Sequence, residues 1–501
     1  MNRLELHCLE QLPDRVRRPA YDPATVRSGI VHIGVGNFHR AHQAAYTDAA
    51  MSAGETDWGI VGVSLRSPGV RDALAPQDGL YTLIERDADG DRARVVGAIR
   101  ELLVAPQAPG AVVERIAADA TRIVSLTVTE KGYCRAAAGG GLDLGAPEIA
   151  RDLSDPGRPA SAIGLLYAAS RERAARGARG FTVLSCDNLS GNGGIVRRLL
   201  LEFADAVAPA HGDAATVRRT RDWVERELSF PDAMVDRIVP QTTDADRALA
   251  RRLTGCEDAW PVATEPFTQW VIEDRFAAGR PQWQAHGVEF VDDVSQWEAM
   301  KLRLLNAAHS CLAYLGAPAG LETVDRAIGE PALRGFVEAL WAREVAPTLD
   351  PSVRQRVPGY CASLIARFAN PALGHRTRQI AMDGSQKLPL RVLPSLRARL
   401  RRGESFELLA FAVAAWIRYL DGRSESGAAY AIDDPLAVEL ERAVAGAGPE
   451  PRAVVAALLM VEPVFGRDLA QDPRVGRTIA AQLTRLRALG SLAAAREALA
   501  G

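Results

Sequence analysis

A lysine, an asparagine and a histidine, Lys301, Asn306 and His309, follow a carboxylate, Glu298, in the stretch Glu298-Ala-Met-Lys301-Leu-Arg-Leu-Leu-Asn306-Ala-Ala-His309. No helix breaker interrupts it, and leucine, alanine and methionine are strong helix formers. On a helix turning about 100° per residue, with Lys301 at zero, Glu298 falls at about 60°, His309 at about 80° and Asn306 at about 140°. The four polar groups then share one arc with Leu302 and Leu305. A lysine on a half-apolar face loses hydration, which disfavours its charged form and suits it to act as a general base near neutral pH. Asn306 and His309 can hold the oxygen of a carbonyl or alkoxide. Glu298, one turn away, can exchange a proton with the lysine. A plainer reading stays open from these residues alone: an amphipathic helix with a salt bridge and a core histidine.

Such a constellation needs a partner that supplies the other half of an alcohol–carbonyl exchange, and the N-terminal half carries a candidate. Gly29-Ile-Val-His-Ile-Gly34 has the composition of a buried parallel strand. Gly34-Val-Gly36 forms a tight turn, and Arg40 to Ala50 has a helical pattern. A glycine turn feeding a helix start offers backbone N–H groups to a pyrophosphate. The third glycine of a G-x-G-x-x-G loop is absent, with His39 in its place. Arg40 is a candidate for a charge-assisted bond to phosphate. Asp57-Trp-Gly-Ile-Val-Gly-Val63 supplies the second strand. The carboxylate that would grip an adenosine ribose is missing after it, where Ser64-Leu65-Arg66 stand, so NADP stays open beside NAD.

Further strand-like runs occur at 80–84, 94–97, 122–129 and 180–185, with helical patterns at 110–120 and 161–176. This alternation predicts an α/β doubly wound sheet. Two polar clusters, Glu130-Lys131 and Asp187-Asn188, sit at strand ends, where ligands of such sheets bind. Asn188 has both a donor and an acceptor for a substrate or nicotinamide oxygen; capping a helix beginning near Gly193 is its alternative role. Residues 205–290 are expected to mix helix with irregular segments. From 294 onward nearly every segment has helical period. The expected domains are therefore 1–290, Rossmann-type, and 291–501, mostly helical, with Lys301 on the first long helix of the second. In that second domain, His375 to Lys387 holds Arg376 and Lys387, candidate contacts for substrate hydroxyls or a carboxylate.

The composition excludes several classes. With 501 residues, 48% hydrophobic and 24% charged, the chain is a globular protein of two domains. A formal charge of −2 gives no reason to expect nucleic acid or an anionic membrane. No apolar run reaches the roughly 18 residues of a membrane helix, and the first thirty residues lack the apolar core of a secretory signal. Six scattered cysteines without a C-x-x-C argue against a disulfide scaffold or a structural zinc, and for a cytoplasmic setting.

Lys-x4-Asn-x2-His on a helix resembles the catalytic signature of the mannitol dehydrogenase family, the polyol-specific long-chain dehydrogenases. Six other segments agree in order: Gly34 to Gln43 (with Asn37, Phe38 and Arg40), Ser125 to Tyr133, Ser185 to Asn188, Met234 to Pro240 (with Asp236), Glu265 to Trp270, and Asp383 to Pro389. They span residues from about 30 to 390. The resemblance implies an NAD-dependent oxidoreductase passing hydride at a secondary alcohol of an open-chain sugar derivative, at the interface of a Rossmann-type and a helical domain. It implies Lys301 as base, Asn306, His309 and Asn188 on the oxygen, and Glu298 with Glu130 as proton relay. It assigns Gly34, Gly36, Asn37, Phe38, Arg40 and Asp236 to the cofactor, and needs no metal. A zinc alcohol dehydrogenase and a catalytically silent nucleotide or sugar sensor are the rival classes. The family's mannitol enzymes commonly carry arginine where this chain has Gln379, and glycine where it has Lys131. The wording here is nearer to members acting on fructuronate and mannonate. A sugar acid or polyol is the expected partner, and a monomer or weak oligomer the expected state.

Overall fold

Ile30, Val31 and Ile33 lack the alternation of a half-exposed strand, as expected where both faces are covered. The computed structural model describes residues 2–87, 89–136, 140–211 and 214–500. Its strands are β1 (Ser28–Ile33), β2 (Gly59–Ser64), β3 (Tyr81–Asp87), β4 (Gly90–Val96), β5 (Ile99–Val104), β6 (Ile123–Leu126), β7 (Thr182–Ser185), β8 (Ala233–Asp236), β9 (Val262–Thr264), β10 (Gln269–Glu273) and β11 (Glu289–Val291). Five of them form a parallel sheet in the order β5-β2-β1-β6-β7. The chain leaves β1 towards β2 on one side and later returns to β6 on the other. That reversal opens a crevice at the carboxyl ends of β1 and β6, the ligand position of such sheets.

The period of two along β1 splits its side chains between two cores. Val31 and Ile33 join Val61, Val63 and Leu126 beneath the helices Pro109–Ala117, Ala162–Arg176 and Asn192–His211. Ile30 points the other way, with Ile60, Ile123, Trp270 and Trp283. Both faces are thereby dry, and the sheet fixes where the loops at its carboxyl edge emerge.

Contacts divide the chain into Met1–Ser295 and Gln296–Gly501, against an expected division after residue 290. The second unit is helical throughout its regular elements. Its expected helix at 474–499 is two, Pro473–Leu489 and Ser491–Ala500, parted at Gly490, whose φ of 78° few other residues adopt.

Three expectations for the first unit are corrected. The runs at 80–84 and 94–97 lie outside the parallel sheet and pair antiparallel as β3 and β4, with β9 on the far side of β3. The fifth parallel strand is instead β5, disguised by Arg100 and Glu101, whose side chains are half-buried. Residues 205–290, expected to be helical and irregular, also carry β8, β9 and β10, while β11 (Glu289–Val291) straddles the expected boundary. Strands of three to five residues are too short to show a period. Among the described residues, no helix is long and apolar enough to cross a membrane.

Candidate functional site

The turn after β1 is closed by backbone and buried polar side chains. Gly34 has φ of 100°, and a Cβ there would stand 2.1 Å from the Thr127 carbonyl oxygen. Only glycine fits. Its N–H donates to Val63 O at 2.8 Å, and its own carbonyl accepts from Thr127 Oγ1 at 2.7 Å. His32 stands behind, with Nδ1 2.8 Å from Ser125 Oγ and Nε2 2.9 Å from Thr127 Oγ1. Its ring stacks on His39 at 3.3 Å between centroids. Burial pushes His32 down to about 3 and holds His39 well below the usual imidazole range, helped there by the neighbouring His32. Both are neutral struts under the turn. Gly36 differs. A Cβ on it would meet nothing of the chain nearer than Gly34 O at 3.8 Å, so open space lies over the backbone there.

The expected single helix from Arg40 is two, α1 (Asn37–Ala41) and α2 (Gln43–Ser52), broken at His42. That break turns side chains inward that were expected to reach a cofactor. Arg40 is fully buried. It donates to Trp260 O at 2.5 Å and to Asn37 Oδ1 at 2.7 Å, lies over the Tyr81 and Trp260 rings, and so serves the fold rather than a phosphate. Asn37 likewise spends its amide on Pro240 O and Thr242 Oγ1, both at 3.1 Å. Phe38 is half-buried and stacks on His42. What this turn leaves for a cofactor is its backbone, with the clearance over Gly36. These features fit a dinucleotide pyrophosphate. Arg66, past β2, is exposed.

At the ends of β6 and β7 an unassigned carboxylate organises the loop. Asp187 accepts from the N–H groups of Val128 and Thr129, both at 2.9 Å, and from the Tyr133 hydroxyl at 2.7 Å. Tyr133 also bonds Ser185 Oγ at 2.7 Å. The segment bearing Glu130 and Lys131, a single 3-10 turn Glu130–Tyr133, is thus pinned to the residue preceding Asn188. Lys131 and Asn188 are both exposed. The helix-capping role offered to Asn188 is filled by Asp232, whose Oδ1 accepts from the Gly193 and Gly194 N–H groups, at 2.6 and 3.1 Å, at the start of the helix Asn192–His211. Asn192 ties Asp187 O at 3.1 Å to both backbone groups of Ala233, whose carbonyl accepts at 2.7 Å. Asp236 is buried at the end of β8. Its neighbour Arg237, also missed from sequence, donates to Glu85 at 2.9 Å and to the carbonyls of Ala41 and Glu265. The cue was available: an isolated Asp or Arg within an apolar strand end must find partners.

In the second unit the lysine stretch is helical, but not uniformly α. The α-helical turns Ser295–Lys301 and Ala307–Gly316 flank a π turn, Leu302–Asn306, in which the Ala307 N–H bonds Leu302 O five residues back. A π turn takes in about one residue more than an α turn, so it withdraws about 100° from the rotation. His309 therefore comes to about −20° and Asn306 to about 40° from Lys301, tighter than the uniform helix predicts. Two carbonyls of the wide turn also accept from side chains of other helices. Trp341 Nε1 donates to Leu304 O at 3.1 Å, and Arg391 to Asn306 O at 3.3 Å and Ser310 Oγ at 3.0 Å. Lys301 is 8% exposed, while Glu298, Asn306 and His309 are half-buried. His309 lies 4.7 Å from the Phe368 ring and 5.8 Å from His375, centroid to centroid. Burial first, then His375, Arg391, Arg367 and Lys387, hold it well below the usual imidazole range. At neutral pH it is an uncharged ring able to donate one N–H.

Arg376 is exposed at the start of the helical turn Thr377–Ile380. Lys387 donates to the carbonyls of Ile380, at 3.2 Å, and Met382, and its Nζ lies 3.9 Å from Asp383. Two of its three donors thus cap backbone and one is left over. Among the described residues there is no cluster of three or more histidine, cysteine, aspartate or glutamate side chains suited to hold a metal.

Two family models match the chain: the mannitol dehydrogenase Rossmann domain over residues 28–285 and the mannitol dehydrogenase C-terminal domain over residues 293–487. A D-mannonate oxidoreductase of Escherichia coli is 43% identical, over 91% of this chain and 93% of the relative. A mannitol 2-dehydrogenase of Pyrenophora tritici-repentis is 42% identical, over 95% and 82%. Among solved structures, Pseudomonas fluorescens mannitol 2-dehydrogenase in ternary complex with NAD and D-mannitol is 39% identical, covers 99% of both chains, and superposes with a TM-score of 0.83.

Proposed function

We propose that this chain, which belongs to the mannitol dehydrogenase family, is an NAD-dependent oxidoreductase that interconverts D-mannonate and D-fructuronate. NAD, when bound, supplies the nicotinamide that exchanges hydride with the substrate carbon. Gly34 and Gly36 offer the backbone that binds its pyrophosphate, and Asp236 is a further cofactor contact. Lys301 takes the hydroxyl proton in oxidation and returns one in reduction. Asn306 and His309, with Asn188, hold the oxygen on which charge develops. A neutral His309 donates a hydrogen bond there without adding a second cation beside Lys301. Glu298 passes the proton on towards solvent.

The observation that carries the substrate class is Lys131. It is an exposed cation on a turn that Asp187 pins beside Asn188. A ketouronate has a carboxylate that fructose lacks, and burying it unpaired is costly. Arg376 and the remaining Lys387 donor are further cations for it. D-mannitol and D-fructose are the second substrate pair, favoured by the mannitol 2-dehydrogenase relatives. Comparing kcat/KM for both pairs tests the ranking. Fructuronate and mannonate should outperform fructose and mannitol, and Lys131→Gly should shrink that preference by roughly 10–150-fold, the size of one buried charged hydrogen bond. Equal losses on both pairs, or a wild-type preference for mannitol, reverse the assignment.

A further inference from the structure

Helix α2 starts near the carboxyl edge of the parallel sheet, after the glycine turn and the short helix α1. Its ten residues carry it back about 15 Å, to the opposite edge. There its last turn borders a cavity of about 440 Å³, within the size range of small-molecule sites. Arg17, Arg18, Asp48, Ser52, Arg94 and His286 supply its polar lining. This is the edge remote from the turn that serves the cofactor.

The lining has unused polar capacity. Arg94 Nε and His286 Nε2 are both buried without a hydrogen-bond partner in the chain. Buried polar atoms seldom stay unpaired, and those that do call for a ligand or another specific cause. Arg18 gives one N–H to Leu9 O at 2.9 Å, and Arg17, 70% exposed, lies 3.8 Å from Glu85. Ser52 Oγ accepts from the Ala20 N–H at 3.3 Å, which leaves its own proton to donate. Asp48, on the floor, accepts from Tyr21 and from the Gly97 N–H through Oδ1. Three guanidiniums and an imidazole thus face one carboxylate, with Glu85 at the rim. The cavity is positive at its mouth and has hydrogen-bonding partners for hydroxyls below.

We propose that this cavity is a second binding site, for a small hydroxylated anion of the sugar phosphate or sugar acid type. The anionic group pairs with Arg94 and Arg18, where planar guanidiniums accommodate carboxylate or phosphoryl oxygens equally. Ligand hydroxyls donate to Asp48 and accept from Ser52.

Calorimetric titration of the full chain, with NAD saturating so that its own phosphate site is filled, tests this. The probes are inorganic phosphate, glucose 6-phosphate and gluconate. At least one of the two sugar probes should bind saturably. Arg94→Gln should weaken that binding about tenfold or more, the size of one lost charged hydrogen bond, with kcat/KM measured without the probe unchanged. The double variant Arg17→Ala/Arg18→Ala, altered only at the rim, should weaken it similarly and stands in if Arg94→Gln does not fold. Glucose 6-phosphate with inorganic phosphate binding alone identifies a phosphoryl anion; gluconate alone identifies a carboxylate. No saturable binding of either sugar probe, or binding undiminished in both variants, overturns the proposal.

Discussion

The glycine turn after β1 and the helix bearing Lys301 solve opposite problems. At the turn, the side chains that look like ligands are turned into the fold. Arg40, Asn37, His39 and His32 brace one another or the neighbouring strands, and the backbone of Gly34 and Gly36 is what the proposed cofactor contact rests on. On the lysine helix the backbone is what gives way. It widens into a π turn, two of whose carbonyls accept from Trp341 and Arg391, and the side chains of Lys301, Asn306 and His309 gather on one face. A cofactor shared by many substrates is suited to recognition through backbone, which carries no side-chain identity. The proton transfer proposed for Lys301 calls for particular side chains in set positions, and there the helix departs from α geometry to gather them.

The contrast is sharpest in what single substitutions do. Lys301→Ala should lower turnover by roughly 10²–10⁴, the usual size of a general-base contribution; steady-state kinetics across neutral pH checks it, and near-normal rates remove Lys301 from that role. Gly34→Ala sets a Cβ 2.1 Å from a backbone oxygen at a positive φ. It should cost about 3 kcal/mol or more of stability, seen as a lower denaturant midpoint. Gly36→Val has room within the chain and an extended backbone, with φ of −80°. It should keep its denaturant midpoint while NADH affinity falls roughly 10–100-fold, or about 1.4–2.8 kcal/mol. An unstable Gly36→Val would mean that the turn needs glycine for folding at both positions.

The smallest effect concerns the buried imidazoles on both sides of the comparison. Burial keeps His32, His39 and His309 neutral in the fold, whereas unfolded they take up a proton near 6.5. The unfolded state then binds more protons as pH drops. Each such group withdraws about 1.4 kcal/mol of stability per pH unit below 6.5, until its folded pKa is reached, about 3 for His32. Ring resonances of these three histidines should not titrate between pH 7.5 and 5.5. A midpoint near 6.5 for His309 would contradict the neutral donor assigned to it.

Much of this was legible in the residues, though not the roles of all of them. A Val and Ile run ending in glycine foretold β1, the apolar run from Asp57 to Val63 foretold β2, and the Lys-x4-Asn-x2-His spacing foretold a helix with one polar arc. The π turn was not legible, because its carbonyl partners Trp341 and Arg391 lie 37 and 85 residues from the carbonyls they serve. Arg40 was misjudged for a related reason. A basic residue beside a glycine turn has the composition of a phosphate contact, and only the break at His42 reveals that it points at Trp260. Asp187 shows the converse. Its partners are two backbone N–H groups and a tyrosine on another loop, which no local pattern announces.

The division of labour between backbone and side chains is tested most directly by titrating NADH into Gly36→Val and Lys301→Ala in parallel. Lys301→Ala should bind NADH as the wild type does despite its lost turnover, and Gly36→Val should bind weakly while folded. Wild-type affinity in Gly36→Val, or an equal loss in Lys301→Ala, would contradict the account.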